Sequence, residues 1–255
     1  MGLLKEVERE WLRFSRASAR LWQRALSGSL SYVLWLMAAI LAIAWYGALR
    51  EGLGRDMFWS FLAFVLYSEP LWAAADARSH LRLGITEQIL AARGGLAPTL
   101  FPWLFVDSAM WSMMDSSVLF AVFTAIFGPP AAAQPLLLAA ALALLYLFSL
   151  SMGVIGVYLF LSLENPWIAA LLLQLVIPLS GGVVPPYALP ESVARFLAYS
   201  PFQYVVAPLI YAGVGKWLLP PPFELAVGYA EAGAFAALAL LADRIAVEKI
   251  KLKPS

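Results

Sequence analysis

Long apolar runs, separated by short clusters of charged residues, dominate the pattern of hydrophobic and polar positions along this chain. A helical run of about 20 apolar residues is long enough to cross a hydrocarbon layer about 30 Å thick. The pattern therefore predicts an all-α integral membrane protein built as a bundle of six transmembrane helices. The predicted spans cover residues 30–49, 57–75, 101–127, 135–163, 167–184 and 223–245.

The region before the first span has a different pattern. Apolar residues such as Leu4, Val7 and Trp11 recur at helical spacing, while Lys and Arg residues occupy other faces. This pattern is typical of an amphipathic helix that lies in the lipid headgroup layer, and a helix packed on a protein partner is the alternative. The chain is accordingly divided into an interfacial helix, residues 1–28, and a transmembrane domain, residues 29–255.

The longest segment outside the spans, residues 185–222, separates the fifth and sixth spans and has prolines at both ends. It contains two apolar stretches, residues 194–197 and 204–211, that are too short to cross a membrane. The pattern predicts short re-entrant or outer helices. Their backbone polar groups must contact protein or water, because lipid offers no hydrogen-bond partner.

The distribution of basic residues predicts the orientation of the bundle. With the N-terminus inside, 13 of the 17 Lys and Arg residues lie in inner segments and four lie in outer segments. Both termini are therefore predicted to be cytoplasmic, in a multi-pass protein of the cell (plasma) membrane. The loop of residues 76–97 is then on the inner side, and residues 185–222 are outside.

Composition excludes several classes of chemistry. Hydrophobic residues make up 62% of the chain and charged residues 13%, and the net charge of +1 gives no reason to expect a nucleic-acid partner. Cysteine is absent, and a single histidine, His80, cannot build a histidine-based metal site. The chain also lacks a phosphate-binding loop of the ATPase type. We therefore predict a carrier or channel that is not an enzyme by itself, and no metal site.

Polar residues inside the third span repeat along one helical face. An ionised aspartate within lipid is costly, so this face should contact protein or water. It either lines a pathway or subunit contact, or it holds the bundle together through hydrogen bonds. The stripe consists of Asp107, Ser108, Trp111, Ser112, Asp115 and Ser116.

Glu231 and Glu69 also lie inside predicted spans. Glu231 lies deep in the sixth span and is a candidate for the same pathway. Glu69 precedes Pro70, which removes a backbone donor and bends a helix, so we interpret this position as a structural kink.

The inner loop after the second span has an amphipathic pattern of the kind that docks into a groove on a soluble partner. Its sequence Gly84-Ile85-Thr86-Glu87-Gln88-Ile89-Leu90 resembles a motif of the membrane subunits of type-2 ATP-binding-cassette transporters, with one residue inserted after the glycine. A second similarity lies around the end of the fifth span. It consists of Pro178-Leu179-Ser180-Gly181-Gly182, Pro185-Pro186-Tyr187-Ala188-Leu189-Pro190 and Ala198-Tyr199-Ser200-Pro201-Phe202.

The resemblance implies a permease subunit of an ATP-driven exporter. A separate ATPase subunit would hold ATP and Mg, no cofactor would be bound by this chain, and a second permease copy would complete a homodimer or heterodimer. Coupling to the ATPase is assigned to Leu83, Gly84, Thr86, Glu87, Ile89 and Leu90. The pathway or subunit contact is assigned to Asp107, Ser112, Asp115 and Glu231, and the broken helix to Pro178, Gly181 and Gly182.

Two other functions remain open from the residues alone. A secondary carrier coupled to protons would use Asp107, Asp115 or Glu231 as its relay. A membrane scaffold without transport activity would need none of these acids. No residue in the sequence selects a substrate.

Overall fold

The computed structural model describes 188 of the 255 residues, chiefly those from the second predicted span onward. They are residues 5, 7–12, 29–30, 32–34, 53–80, 97–161, 163, 165–184, 189–197 and 199–251. Most of the first predicted span and all six predicted coupling residues, Leu83 to Leu90, lie outside these ranges.

Helices form the described part of the protein, which contains no strand, and the all-α class is confirmed. Residues 7–12 are helical, and seven further helices lie in the described residues that follow. They are α1 (Leu53–His80), α2 (Ala97–Phe127), α3 (Pro135–Leu161), α4 (Pro166–Ser180), α5 (Glu191–Leu197), α6 (Gln203–Val214) and α7 (Pro221–Lys251).

Three helices in the described residues are long and apolar enough to cross a membrane: Leu100–Phe127, Pro135–Phe160 and Pro221–Ala242. Helix α1 has 28 residues but carries Glu69 and Pro70 in its apolar stretch. Helix α4 has 15 residues and is about 22 Å long, which is shorter than the hydrocarbon layer. The six-span bundle therefore remains a prediction.

Helix α3 occupies the centre of the bundle, where it contacts α1, α2, α4, α6 and α7. Its approach to α1 is close because Gly153 faces Pro70: a Cβ atom at Gly153 would lie 2.9 Å from the Pro70 carbonyl oxygen. Small residues allow helix backbones to approach in this way. The contact places the proline-containing part of α1 against the middle of α3.

The end of the bundle at which α2 ends and α3 begins is held by the α6 helix. The backbone N–H groups of Ala133 and Gln134 donate to the carbonyls of Gly213 and Ala212, at 2.9 and 3.1 Å. Trp217 donates from Nε1 to Gln134 Oε1 at 2.5 Å. Helix α6 therefore packs at the end opposite the α1–α2 connection.

Tyr146 links α3 to α2 through its hydroxyl group, which donates to the Phe105 carbonyl at 2.9 Å and lies 3.0 Å from Ser108 Oγ. Removing the hydroxyl with Tyr146→Phe should lower the free energy of unfolding by about 1 kcal/mol, because a part-buried carbonyl loses a donor. In detergent, the melting temperature should fall by about 2–4 °C. The control is Tyr199→Phe, at an exposed side chain. Equal melting temperatures for the two variants would contradict the interhelical role.

Candidate functional site

A cavity of about 280 Å³ lies between α1 and α2, and its walls are acidic and aromatic. Two residues that precede α1, and one residue at the start of α4, complete the lining. The described lining residues are Ser29, Tyr32, Glu69, Trp72, Ala73, Asp76, Asp107, Trp111, Asp115 and Trp167.

The α1 wall is one face of a helix. Glu69, Trp72 and Asp76 are spaced at i, i+3 and i+7, which brings them to the same side of α1. Each acid is therefore separated from the next by a tryptophan. All three side chains line the cavity.

The α2 wall repeats this arrangement. Asp107, Trp111 and Asp115 are spaced at i, i+4 and i+8 and also share one face. Two acid–tryptophan–acid faces thus form the walls of the same cavity.

The acids interact at two levels. Glu69 and Asp115 lie within interaction distance of each other, and Asp107 lies within electrostatic range of Asp76. The order is reversed between the two helices because α1 and α2 run antiparallel. At a rise of about 1.5 Å per residue, the two levels are roughly 10–12 Å apart along the helix axes.

Burial is deepest at the Glu69–Asp115 level. The exposed fractions are 7% for Glu69 and 3% for Asp115, and Asp115 Oδ1 has no hydrogen-bond partner. The Ser29 hydroxyl oxygen, in a residue that is 2% exposed, also lacks a partner. Of the described lining residues, none is a lysine or arginine. The cavity therefore brings together carboxyl groups and unpaired polar atoms without a described positive group.

Aromatic rings cover much of the remaining wall. The rings of Trp72 and Trp167 lie 5.3 Å apart between centroids, with their planes tilted by 40°. This contact joins α1 to the beginning of α4. Trp111 and Tyr32 add two further rings to the lining.

In the described part of the chain, no three His, Asp or Glu side chains converge closely enough to hold a metal ion. Instead, the cavity acids are spread over two levels. Such an arrangement suits a proton or an extended cation better than a single metal ion.

The four pathway residues predicted from the sequence do not all lie together in the structure. Asp107 and Asp115 line the cavity, whereas Ser112 is buried in α2 without being part of the lining. Glu231 lies on α7, which contacts α3 and α6, and it does not line the cavity. The structure thus brings two of these four residues together.

The residues of the predicted broken helix lie around the end of α4. Pro178 is buried inside the helix, which ends at Ser180, and the Gly181 N–H donates to the Ile177 carbonyl at 2.7 Å. Gly182 has a φ of +80°, a conformation that glycine adopts without strain. Gly181 and Gly182 form the turn that follows α4, and none of the three residues lines the cavity.

Six of the described cavity residues were not predicted from the sequence: Ser29, Tyr32, Trp72, Ala73, Asp76 and Trp167. Trp72 and Asp76 share a face with Glu69, so their periodicity was a usable signal, although Pro70 favoured a purely structural interpretation of Glu69. Trp167 and Tyr32 carry no such signal because their position depends on how α4 and the preceding segment pack against α1.

A second groove of about 400 Å³ lies on α2. It is lined by Trp11 of the N-terminal segment and by methionine and other side chains of α2. These are Met110, Met113, Met114, Ser117 and Val118. The methionines therefore line a groove distinct from the acidic cavity.

Comparison with known proteins adds no assignment: no protein-family model matches the sequence, and no curated protein matches it.

Proposed function

We propose that this chain is the permease subunit of an ATP-driven exporter, working with a separate ATPase subunit and a second permease copy by alternating access. The observation that carries the proposal is the position of the transporter-like motif along the chain. The transporter-like motif around Gly84 and Glu87 connects α1 directly to α2, the two helices whose facing sides form the cavity.

The arrangement supports a mechanical link between the connection and the cavity. Asp76 lies four residues before the end of α1, and Trp167 is the second residue of α4, so this part of the cavity is near the α1–α2 connection. Because the connection joins the two helices that form the cavity walls, a force applied to it would act on both walls. Closure of an ATPase pair beneath the connection would thus change the separation of the walls.

The division of labour is what the resemblance to type-2 ATP-binding-cassette permeases implies, and the sequence contains no phosphate-binding loop of its own. The ATPase partner supplies ATP and Mg, and the permease supplies the cavity and the moving helices. The predicted orientation puts the α1–α2 connection in the cytoplasm, where an ATPase has access to its nucleotide.

A proton-coupled secondary carrier is the second candidate, and the buried Glu69–Asp115 pair favours it. Two interacting carboxyl groups in a cavity of about 280 Å³ provide the parts of a proton relay. This version of the carrier uses Glu69 in place of Glu231, which lies on α7.

Co-purification and transport assays discriminate between the two candidates. The tagged chain, isolated from its native cells in mild detergent, is expected to bring an ATPase subunit with it. Inverted vesicles that contain the complex should transport cargo only with hydrolysable ATP. Transport by the isolated chain, driven by a proton gradient without nucleotide, would instead identify the secondary carrier and contradict the exporter.

The cysteine-free sequence permits a direct test of the orientation. A single cysteine at Gln88→Cys should react with a membrane-impermeant maleimide in inverted vesicles and remain unlabelled in intact spheroplasts. The matched control is Leu218→Cys, at an exposed residue of the predicted outer segment, which should show the opposite pattern. Labelling of Gln88→Cys from the outside would remove the basis for ATPase docking.

A further inference from the structure

We propose that the cavity between α1 and α2 binds a small organic cation with an apolar body, such as a quaternary ammonium compound. Binding is a property of the cavity alone. The additional statement that this cation is the exported cargo rests on the proposed function.

The first argument is charge. Four carboxyl groups, those of Glu69, Asp76, Asp107 and Asp115, share one cavity, and no described lining residue is positively charged. Glu69 and Asp115 are the two buried acids of this lining, and burying charged carboxylates is costly unless an opposite charge accompanies them. A bound cation offsets this cost at the Glu69–Asp115 level.

The second argument is the presence of two buried polar atoms without a hydrogen-bond partner, beside the carboxyl groups of the cavity. Ser29 is 2% exposed, lines the cavity and has a hydroxyl oxygen without a hydrogen-bond partner. Asp115 Oδ1, also unpaired, lies in the same lining. Buried polar atoms are normally hydrogen-bonded, so these two atoms indicate a site completed by a ligand or by water.

The third argument is the aromatic wall. Trp72, Trp111 and Trp167 line the cavity together with the acids, and Tyr32 adds a fourth ring. The negative face of an aromatic ring attracts cations, and the attraction is stronger when the pair is shielded from water. Rings also accommodate the apolar surface of an organic cation, which a proton relay does not require.

Size and geometry favour an organic cation over a metal ion. The cavity of about 280 Å³ is close to the lower end of the roughly 300–1,000 Å³ occupied by small-molecule sites. Within the described ranges, no three acidic or histidine side chains converge as metal ligands. A cation with one ring or a few alkyl groups fits this space and reaches more than one acid.

The test compares two ligands of nearly the same shape. Benzyltrimethylammonium is positively charged, and neopentylbenzene is its neutral counterpart. The full-length chain, in lipid nanodiscs without nucleotide, is titrated with each, and the uptake of empty nanodiscs is subtracted. The cation should bind saturably and at least about tenfold more tightly than the neutral compound. Equal or weaker binding of the cation overturns the proposal.

A variant pair locates the site. Asp115→Asn keeps the shape of the side chain and removes its charge, and we expect it to weaken binding of benzyltrimethylammonium about tenfold or more. The control is Glu191→Gln, at an exposed acid on α5 that pairs with Arg195, which should bind normally. Wild-type affinity in a folded Asp115→Asn variant overturns the assignment. If that variant does not fold, the comparison of the two ligands on the wild-type chain still decides whether the cavity binds cations selectively.

The outcomes of this experiment and of the ATPase test are separable. Charge-selective binding without an ATPase partner retains the cation site and removes the exporter. An ATPase partner without charge-selective binding retains the exporter and removes the cation site.

Discussion

Replacing Gly228 with leucine is expected to lower the free energy of unfolding by about 3 kcal/mol, because it forces apart three packed helices. A Cβ atom at Gly228 on α7 would overlap the backbone carbonyl oxygen of Tyr204 on α6. It would also lie 2.7 Å from Leu144 Cδ2 on α3. The carbonyl belongs to helix backbone and cannot rotate away as a flexible side chain can. The helices must therefore separate.

Gly233 provides the matched control on the same helix, since a Cβ atom there would have no atom within 4 Å. Gly233→Leu should leave stability unchanged or raise it slightly, because leucine favours a helix more than glycine does. Thermal unfolding in detergent measures both variants, and Gly228→Leu should melt roughly 6–12 °C lower than Gly233→Leu. Similar melting temperatures would contradict the close approach of α6 and α7 at Gly228.

Charge reversal at Glu87 is expected to have the largest effect on transport, with a loss of more than about tenfold in ATP-driven uptake. Glu87 belongs to the motif that resembles the coupling segment of type-2 ATP-binding-cassette permeases. Disrupting one partner of a desolvated charge pair at a protein interface costs about 2–5 kcal/mol, which corresponds to a loss of roughly 30-fold or more in affinity. Glu87→Arg should therefore reduce both recovery of the ATPase and transport.

The control for this variant is Glu191→Arg, which makes the same charge change on an exposed residue of the predicted outer segment. It should retain ATPase binding and uptake. Binding of benzyltrimethylammonium to the Glu87→Arg chain should also be retained, since the proposed cation site lies between α1 and α2. Normal ATPase recovery and ATP-driven uptake with Glu87→Arg would count against a role for Glu87 in coupling.

The helical class was predictable because hydropathy and run length are local properties of the sequence. The structure contains three helices that meet both requirements in its described residues, Leu100–Phe127, Pro135–Phe160 and Pro221–Ala242. Two other predicted spans, those of α1 and α4, do not meet both requirements. Helix α4 ends at Ser180 before it is long enough, and Glu69 interrupts the apolar stretch of α1.

Only the α2 wall of the cavity was predictable from the sequence. The spacing of Asp107, Trp111 and Asp115 revealed the α2 face, because residues three or four apart share a helix face. Glu69 was interpreted through its neighbour Pro70, and the matching face of α1 was missed. Glu231 was grouped with the pathway by its depth alone, although α7 packs on α3 and α6.

By itself, the sequence determined the helical class, the apolar runs and the acidic face of α2, since all three depend on spacing within a single segment. Only the tertiary structure decided that this face meets a second one on α1, and that Trp167 joins them from α4. The physical reason is that spacing gives the depth and face of a residue on its own helix, whereas the neighbour of that face depends on packing between distant segments.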